Sequence, residues 1–406
     1  MEEHPQARFI VETLSKAGFV AYYAGGWVRD YLLQHPSDDI DIATNAPPET
    51  IQTLFPHTVP IGISFGIILV VIDGHPYEVA TFRQDLDYKD GRRPSRIEFT
   101  TAEEDAQRRD FTINGLFYDP LKEEILDFVN GKADLEKKLI RAIGNPIERI
   151  KEDRLRMVRA VRLSCRFGFA IEEKTKEAII QEAHHLRPAV AIERICQEFM
   201  KAKNFGKLHP TLLKMHRFGL LSPIFPSLKN VSENEMEKRL LPLQFYPDEA
   251  PLIASLILLF AHATLEEEIA LCKELKLSKK EEKFLIALSQ GKKLLEKEGE
   301  TNYELAKFYA DPASESILQI VSAHRKDREV FLTKERKRIL HLQPFITRIQ
   351  EHNPLVSSEI LFREGIPSGK TMGLLLTEAE KLSINEELQD PLLVIERLKK
   401  SPLWPR

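Results

Sequence analysis

Residues 22–44 read YYAGGWVRDYLLQHPSDDIDIAT, and they place a glycine pair, an arginine and two alternating carboxylates within one strand, one short helix and a second strand. Phe19 to Ala24 is apolar and aromatic enough for a buried strand. Gly25 and Gly26 end it with two residues that lack a Cβ, so the backbone can approach a phosphate closely and offer it N–H groups. Trp27 to Gln34 predicts a short helix with Arg29 in its first turn, closed by the turn formers His35, Pro36 and Ser37. In Asp39-Ile40-Asp41-Ile42 the two-residue period of a strand sends both carboxylates to one face and both isoleucines to the other. Like charges on one face are costly unless a cation lies between them, and paired oxygen ligands are what Mg²⁺ prefers. The stretch therefore points to metal-dependent phosphoryl or nucleotidyl transfer at Asp39 and Asp41. Asp-x-Asp alone is common on solvated strand edges; the glycine pair and Arg29 at this spacing set this one apart.

Upstream, Pro5 to Lys16 carries apolar residues at helical spacing and is stopped by Gly18. Downstream, the spacing predicts a helix from Pro47-Pro48 to Phe55, then two strands, Ile67–Ile72 and Tyr77–Phe82, around the hairpin signal Asp73-Gly74. Gln84 to Arg96 has no apolar face and many turn formers, and predicts a mobile loop. Thr101 and Glu104 have capping-box spacing, which predicts a helix carrying Arg108, Arg109 and Asp110 toward its end. After Asn145-Pro146 no period-two strand appears, and the chain reads as successive helices separated by prolines. The stretch from Lys137 to Arg166 is strongly basic. Within it Arg159, Arg162 and Arg166 recur at three- and four-residue spacing, which aligns them on one side of a helix as a phosphate track or as a solvated face. Glu152, Asp153 and Arg156 read as neighbours on the surface of the same helix, where a plain salt bridge is the alternative to a function.

A chain of 406 residues, 43% hydrophobic and 30% charged, implies two or more domains of an ordinary soluble protein. Its net charge of −4 is unevenly spread, so the sum excludes no nucleic-acid partner. Cys165, Cys196 and Cys272 are too far apart for a metal cluster or a dense disulfide framework, which favours the reducing cytoplasm. The N-terminus lacks a basic segment followed by an apolar one, and Pro251 to Ala263 is nearer a buried core helix than a membrane span. No membrane partner is expected.

GGWVRD followed by DIDIAT resembles the signature of the nucleotidyltransferase superfamily, in the class II branch of tRNA CCA-adding enzymes and bacterial poly(A) polymerases. EVATFR is similar to the segment holding the superfamily's third carboxylate, which implies that role for Glu78; a pair with Arg83 or a basic neighbour is the alternative. YKDGRRPSRIEF resembles the charged flexible loop and following strand that help reorganise the nucleotide pocket of CCA-adding enzymes. RRDFTINGLFYD is similar to the second motif, with Gly115 in place of the usual alanine. It implies that Arg109 and Asp110 contact the nucleotide's ribose and that Asn114 holds its sugar or triphosphate. A carboxylate is a good acceptor for a ribose hydroxyl, and an arginine fork suits phosphate oxygens. Asp127 to Gly131 resembles the third motif, a structural joint.

EDRLR matches the motif whose Asp and Arg, here Asp153 and Arg156, act as an amino-acid template for the incoming base. Cytosine and adenine both display an amino donor beside a ring-nitrogen acceptor, so a carboxylate and a guanidinium side by side pair with either. AIERICQEFMKAKN, with Glu193, Arg194 and Glu198, looks like the last motif, a brace for the neck. The matches run from Tyr22 to Asn204, about half of the chain. They imply an α+β protein: a polymerase beta-like head with a mixed sheet over residues 1–145 and an all-α neck that recognises the base over 146–218, followed by a helical body and tail over 219–406 that is expected to hold RNA.

The implied activity is template-independent addition of CCA to the 3′ end of tRNA, binding its 3′ end and acceptor region. The implied substrates are CTP and ATP, with two Mg²⁺ at Asp39 and Asp41. Asp39, Asp41 and Glu78 would be catalytic. Gly25, Gly26, Arg29, Arg109, Asp110, Asn114, Glu152, Asp153, Arg156, Arg159 and Arg162 would bind the nucleotide. Poly(A) synthesis and partial CC or A addition are the alternatives. An inactive RNA-binding protein is disfavoured because Gly25, Gly26, Asp39 and Asp41 are all in place. Lys279-Lys280, Lys292-Lys293 and Lys334 to Arg338 are basic clusters that RNA or plain solvation explains equally.

Overall fold

Pro5 in the first turn and buried Ala7, Ile10, Val11 and Leu14 at helical spacing make Pro5–Lys16 the first helix, α1, which ends before Gly18 at φ +89°. The computed structural model describes residues 4–35, 37–62, 65–88 and 94–405. The chain divides into two units, Met1–Glu237 and Lys238–Arg406, so the expected head (1–145) and neck (146–218) both lie in the first.

After α1 come β1 (Ala21–Ala24), α2 (Gly26–Leu32), β2 (Asp41–Thr44), α3 (Pro48–Leu54), β3 (Thr58–Gly62), β4 (Ile67–Ile72) and β5 (His75–Thr81). The hairpin β6 (Arg83–Tyr88) and β7 (Pro94–Phe99), helix α4 (Ala102–Gln107) and strands β8 (Leu116–Asp119) and β9 (Glu124–Asp127) follow. Among the described residues, seven strands form one mixed sheet in the order β3-β4-β5-β2-β1-β8-β9, with β2 and β5 parallel and the other pairs antiparallel. Alternation on β1 splits its two tyrosines. Tyr22 lies near Phe82 and Phe117 on one face, while Tyr23 meets Trp27 and Tyr118 on the other. The Tyr22 face is closed by Ala24, Ala43, Phe82, Ala106, Phe117, Val129 and Ile143. This layer fixes the floor of the candidate site.

Three local expectations change. Gln84 to Tyr88 and Pro94 to Arg96 are strands, with Arg83 opposite Phe99 and Asp85 opposite Ile97; the expected loop tip at 89–93 lies outside the described residues. Backbone pairing makes this hairpin without an apolar face, so the side-chain pattern hides it. Thr101 caps α4 by accepting from Glu104 N–H at 3.3 Å, but α4 ends at Gln107, ahead of Arg109 and Asp110. β2 starts at Asp41, although exposed Asp39 and Asp41 still alternate with buried Ile40 and Ile42.

The joint is α5 (Gly131–Glu136), where Asp127 accepts from the N–H groups of Val129, Gly131 and Lys132, and β10 (Leu139–Ile140). Next come α6 (Pro146–Glu152), capped by Asn145, α7 (Leu155–Phe167), β11 (Ala170–Ile171), α8 (Glu173–Glu182), α9 (Leu186–Ala189), α10 (Ile192–Asn204) and α11 (Leu208–Arg217). The short β11 pairs in parallel with β10, a strand beyond Asn145-Pro146 that two residues are too few to signal. The helix expected to run through Glu152 and Arg156 is two. Asp153 at φ −147°, ψ 102° breaks it, and its carboxylate accepts from Leu155 N–H at 3.1 Å to start α7. An Asp that competes for backbone N–H groups caps a new helix more readily than it continues an old one.

The second unit is helical by itself. Capping boxes start its helices at Thr264 with Glu267, Ser278 with Glu281, and Thr301 with Glu304. Gly291 lets helix Lys279–Glu296 approach its neighbours closely, since a Cβ there would lie 2.8 Å from Ile317 and 2.9 Å from Phe308. Val356, Leu361, Ile366, Leu375, Val394 and Leu398 form a core near the end of the chain.

Candidate active site

Antiparallel pairing sets Ala24 opposite Asp41, so β2 delivers a carboxylate to the point where β1 gives way to the glycine pair. Gly25 takes φ +69°, ψ −123°, a region closed to residues with a Cβ. A Cβ there would also lie 3.0 Å from an Arg109 nitrogen. Gly26 opens α2 with the Arg29 guanidinium alongside, 3.6 Å from where its Cβ would be. On the other edge of β2, parallel pairing of Ile42 with Val79 brings Glu78 beside Asp41.

The carboxylates feel one another. Asp41 has an exposed surface, yet it sits deep among protein atoms. Burial first, then Glu78 and Asp39, push it up to about 6 against the opposing pull of Arg109. A divalent cation would relieve that repulsion. Among the described residues, no group of three or more His, Cys, Asp or Glu side chains is arranged to hold a metal ion. A two-aspartate donor set with Glu78 alongside fits Mg²⁺, which takes one or two carboxylates and completes its shell from substrate phosphates and water.

Behind the glycine pair, Arg109 donates to Asp105 from Nε at 3.2 Å and from Nη2 at 3.0 Å, and its guanidinium lies 4.7 Å from the Phe117 ring centroid. Arg108 grips the other Asp105 oxygen at 2.8 Å. Burial raises the Asp105 carboxyl, but Arg109 and Arg108 outweigh it and hold it below its ordinary value. Sequence reasoning passed over Asp105. Its signal was present, because it precedes Arg108 by three residues and Arg109 by four, the spacing at which helical side chains meet. Gly115, where the motif usually has alanine, faces Val129: a Cβ there would lie 2.7 Å from Val129 Cγ2.

Asp110 is buried with both oxygens engaged. Oδ1 accepts from Phe111 N–H at 2.8 Å and Asn114 Nδ2 at 2.9 Å, while Oδ2 accepts from Arg159 Nε at 2.8 Å. Burial alone would raise it, but Arg159, the Asn114 bond and Arg156 bring it down to about 2. Asn114 in turn accepts from Arg29 Nη1 at 2.5 Å, and Arg29, 5% exposed, donates from Nε to Asp30 at 2.8 Å. In the neck, Arg156 donates to Glu152 at 2.6 Å and to the carbonyls of Arg149 and Arg108 at 2.6 and 3.2 Å. Asp153 is gripped bidentately by Arg194 from α10, at 3.1 and 2.7 Å. So Glu152 holds Arg149 and Arg156 while Asp153 holds Arg194, and the Asp153 and Arg156 side chains form no pair with one another among these contacts.

The arginines expected to line a phosphate track turn inward. Arg159 bonds Asp110 and lies 3.8 Å from Glu198, buried Arg162 donates to Glu198 at 2.5 Å, and Arg166 donates to Asp30 at 3.0 Å. Asp110 raises Arg159 above its ordinary value, burial opposes it, and Glu198 adds to the rise. Helical spacing aligned these arginines as expected, but each meets a carboxylate, and only Arg159, its side chain 31% exposed, keeps a substantial surface open.

Residues 21–141 match the family described as the poly A polymerase head domain. That match takes in every strand of the seven-stranded sheet, from β1 to β9. The head-domain match is followed by one over residues 168–231 to the family described as a probable RNA and SrmB-binding site of polymerase A. A CCA-adding enzyme of Bacillus cytotoxicus is 45% identical over 224 residues, 53% of this chain and 56% of that protein. One of Anoxybacillus flavithermus is 46% identical over 201 residues, 49% and 50% of the two chains. These alignments span about half the length of the curated relatives. The crystal structure of the Bacillus stearothermophilus CCA-adding enzyme in complex with CTP aligns over 98% of each chain, with a TM-score of 0.72 and 28% identity. The chain as a whole, sheet and helices together, thus shares the fold of that solved structure.

Proposed function

We propose that this protein is a template-independent RNA nucleotidyltransferase that adds CCA to the 3′ end of tRNA, using CTP and ATP and releasing pyrophosphate. One observation carries the proposal: Asp41, opposite Ala24 and driven up by burial and then by Glu78 and Asp39, stands where β1 runs into a glycine pair that Arg29 and Arg109 back. That is a cation site beside a polyanion site. Asp39 and Asp41 would hold two Mg²⁺, which when bound neutralise charge on the phosphates and activate the attacking hydroxyl. Gly25 and Gly26 let the triphosphate approach the backbone, and Arg109 and Arg29 supply positive charge behind it. The tRNA 3′-oxygen bonds to the α-phosphorus as the bond to the β-phosphate bridging oxygen breaks, the hydroxyl proton is lost and pyrophosphate departs.

Base choice falls to Asp153 and Arg156. A carboxylate oxygen has two lone pairs, so Asp153 gripped by Arg194 still accepts an amino proton. Arg156 has five N–H donors, so its bonds to Glu152 and two carbonyls leave others for a ring nitrogen. Uracil and guanine reverse that order and leave buried groups unpaired. Glu78 serves as a third carboxylate and Asp110 fixes Asn114 and Arg159 around the sugar. Among the described residues no helix is long and apolar enough to cross a membrane, which accords with a proposed cytoplasmic site of action on tRNA.

The test extends transcripts of tRNA that end before CCA, after C and after CC, with each nucleotide separately, alongside an unstructured RNA primer. CTP use on the first two and ATP use on the third is expected. Long A tracts on the unstructured primer without CTP use would identify a poly(A) polymerase instead.

A further inference from the structure

We infer that Asp30 is a positioning residue for nucleotide binding, joining the arginine behind the glycine pair to the far end of the base-reading helix. The inference rests on the function proposed above. Asp30 lies on α2, 4% exposed, and its two oxygens divide their work. Oδ1 accepts from Arg29 Nε at 2.8 Å, with Arg29 Nη2 also at 2.8 Å, while Oδ2 accepts from Arg166 Nη2 of α7 at 3.0 Å. The two guanidiniums also share one ring: Arg29 Cζ lies 4.7 Å and Arg166 Cζ 4.6 Å from the Phe167 centroid. Without the Asp30 charge, two cations would face each other in a buried setting, and Arg29 would be left with its Asn114 bond beside Gly26.

The consequence reaches the other end of α7. Arg166 follows Arg156 by ten residues, about 15 Å along a helix. Between them Arg159 grips Asp110, which holds Asn114, which holds Arg29. Arg166, Asp30, Arg29, Asn114, Asp110 and Arg159 thus close a ring that begins and ends on α7. Across this ring and the adjoining Arg162–Glu198 pair, four guanidiniums meet three carboxylates, an excess of positive charge to which Lys201, 3.7 Å from Glu198, adds and which a triphosphate at the glycine pair would help to balance. The phosphate end and the base end of the pocket then move as one body.

The experiment compares wild type, Asp30→Asn, Asp30→Glu, Arg166→Gln, Arg166→Lys and the Asp30→Asn/Arg166→Gln double variant as full chains. Each is assayed for kcat and KM with CTP on tRNA lacking CCA, for equilibrium binding of CTP and of tripolyphosphate, and for melting temperature. Asp30→Asn should raise the CTP KM and both dissociation constants about tenfold, with kcat within about twofold. Arg166→Gln, at a position whose side chain is 16% exposed against 5% for Asp30, should move the same constants in the same direction by a smaller factor. The double variant should bind no more weakly than Asp30→Asn, since both changes break one contact, and Asp30→Glu and Arg166→Lys should recover part of the loss. A lowered melting temperature with unchanged CTP and tripolyphosphate binding would overturn the inference, as would additive losses in the double variant. Should wild type bind tripolyphosphate but neither bind nor transfer CTP, the proposed function fails, and the tripolyphosphate arm still decides the role of Asp30.

Discussion

The two units bury charge in opposite ways. In Met1–Glu237, Arg29, Asp30, Asp105, Asp110, Arg162 and Glu198 are all under 10% exposed and are paired through the contacts around the glycine pair and α7, and Asp119, Asp134 and Glu182 are as deeply buried elsewhere in the unit. In Lys238–Arg406, among the described residues, Glu335 is the one charged side chain buried to that degree, bonded by the Tyr309 hydroxyl at 2.5 Å and Arg338 at 3.1 Å. Desolvating ions is expensive and seldom the cheapest route to stability. A chain that concentrates them in one unit is using them for placement of groups, while the other unit rests on caps and apolar packing. Substitutions should therefore change chemistry in the first unit and stability alone in the second.

The sharpest break of that contrast would come from the carboxylates. Asp39→Ala and Asp41→Ala should each cut nucleotide addition about a thousandfold or more, with tRNA retention on filters largely kept, since the loss of a several-kcal/mol metal contribution falls on the transition state. Near wild-type extension by either variant with Mg²⁺ would remove the metal assignment. Asp41→Asn adds a test of stability. A carboxyl raised to about 6 from an ordinary 3.8 costs stability that appears as pH rises from about 4 to 6 and stays above it. In metal-free buffer Asp41→Asn should therefore melt higher than wild type at pH 8 and no higher near pH 4. Asp110, held down to about 2, has the opposite sign: its stabilisation is complete above 3.8 and is lost as pH falls toward 2. Asp110→Asn should melt lower at pH 7, with the deficit shrinking in acid.

Next in size are the base-reading candidates. Replacing Asp153 or Arg156 by alanine should weaken selection of CTP and ATP over UTP and GTP by about 1–3 kcal/mol per contact, or roughly 5- to 150-fold. kcat/KM for the four nucleotides on a tRNA lacking its last residue measures this. Ratios that hold steady while only the melting temperature falls would make both residues structural.

The second unit supplies the smallest effects. Gly291→Ala drives a methyl group into Ile317 and Phe308 and should cost about 1–3 kcal/mol. Thr301→Ala removes a capping box and should cost about 1 kcal/mol. Urea melts read both costs. Nucleotide selectivity should stay at the wild-type ratio in each, and a shift in selectivity would mean that the second unit does more than carry stability.

Local periodicity was enough for much of this molecule. The glycine pair, the alternation of Asp39 and Asp41 with buried isoleucines, helix Pro5–Lys16, the β4–β5 hairpin and the Thr101 cap depend on neighbours a few residues apart, and each stands where spacing puts it. What tertiary structure decided is which long-range partner each charge meets. Spacing aligned Arg159, Arg162 and Arg166 on one side of a helix but was silent on what faces it, and Asp110, Glu198 and Asp30 do, from positions 49, 36 and 136 residues away. The same holds at Asp153, where Arg194, 41 residues on, takes the carboxylate that spacing had offered to Arg156. An arginine looks alike in sequence whether it ends on solvent, phosphate or carboxylate. The choice is made by desolvation, which exists only once the helices have packed.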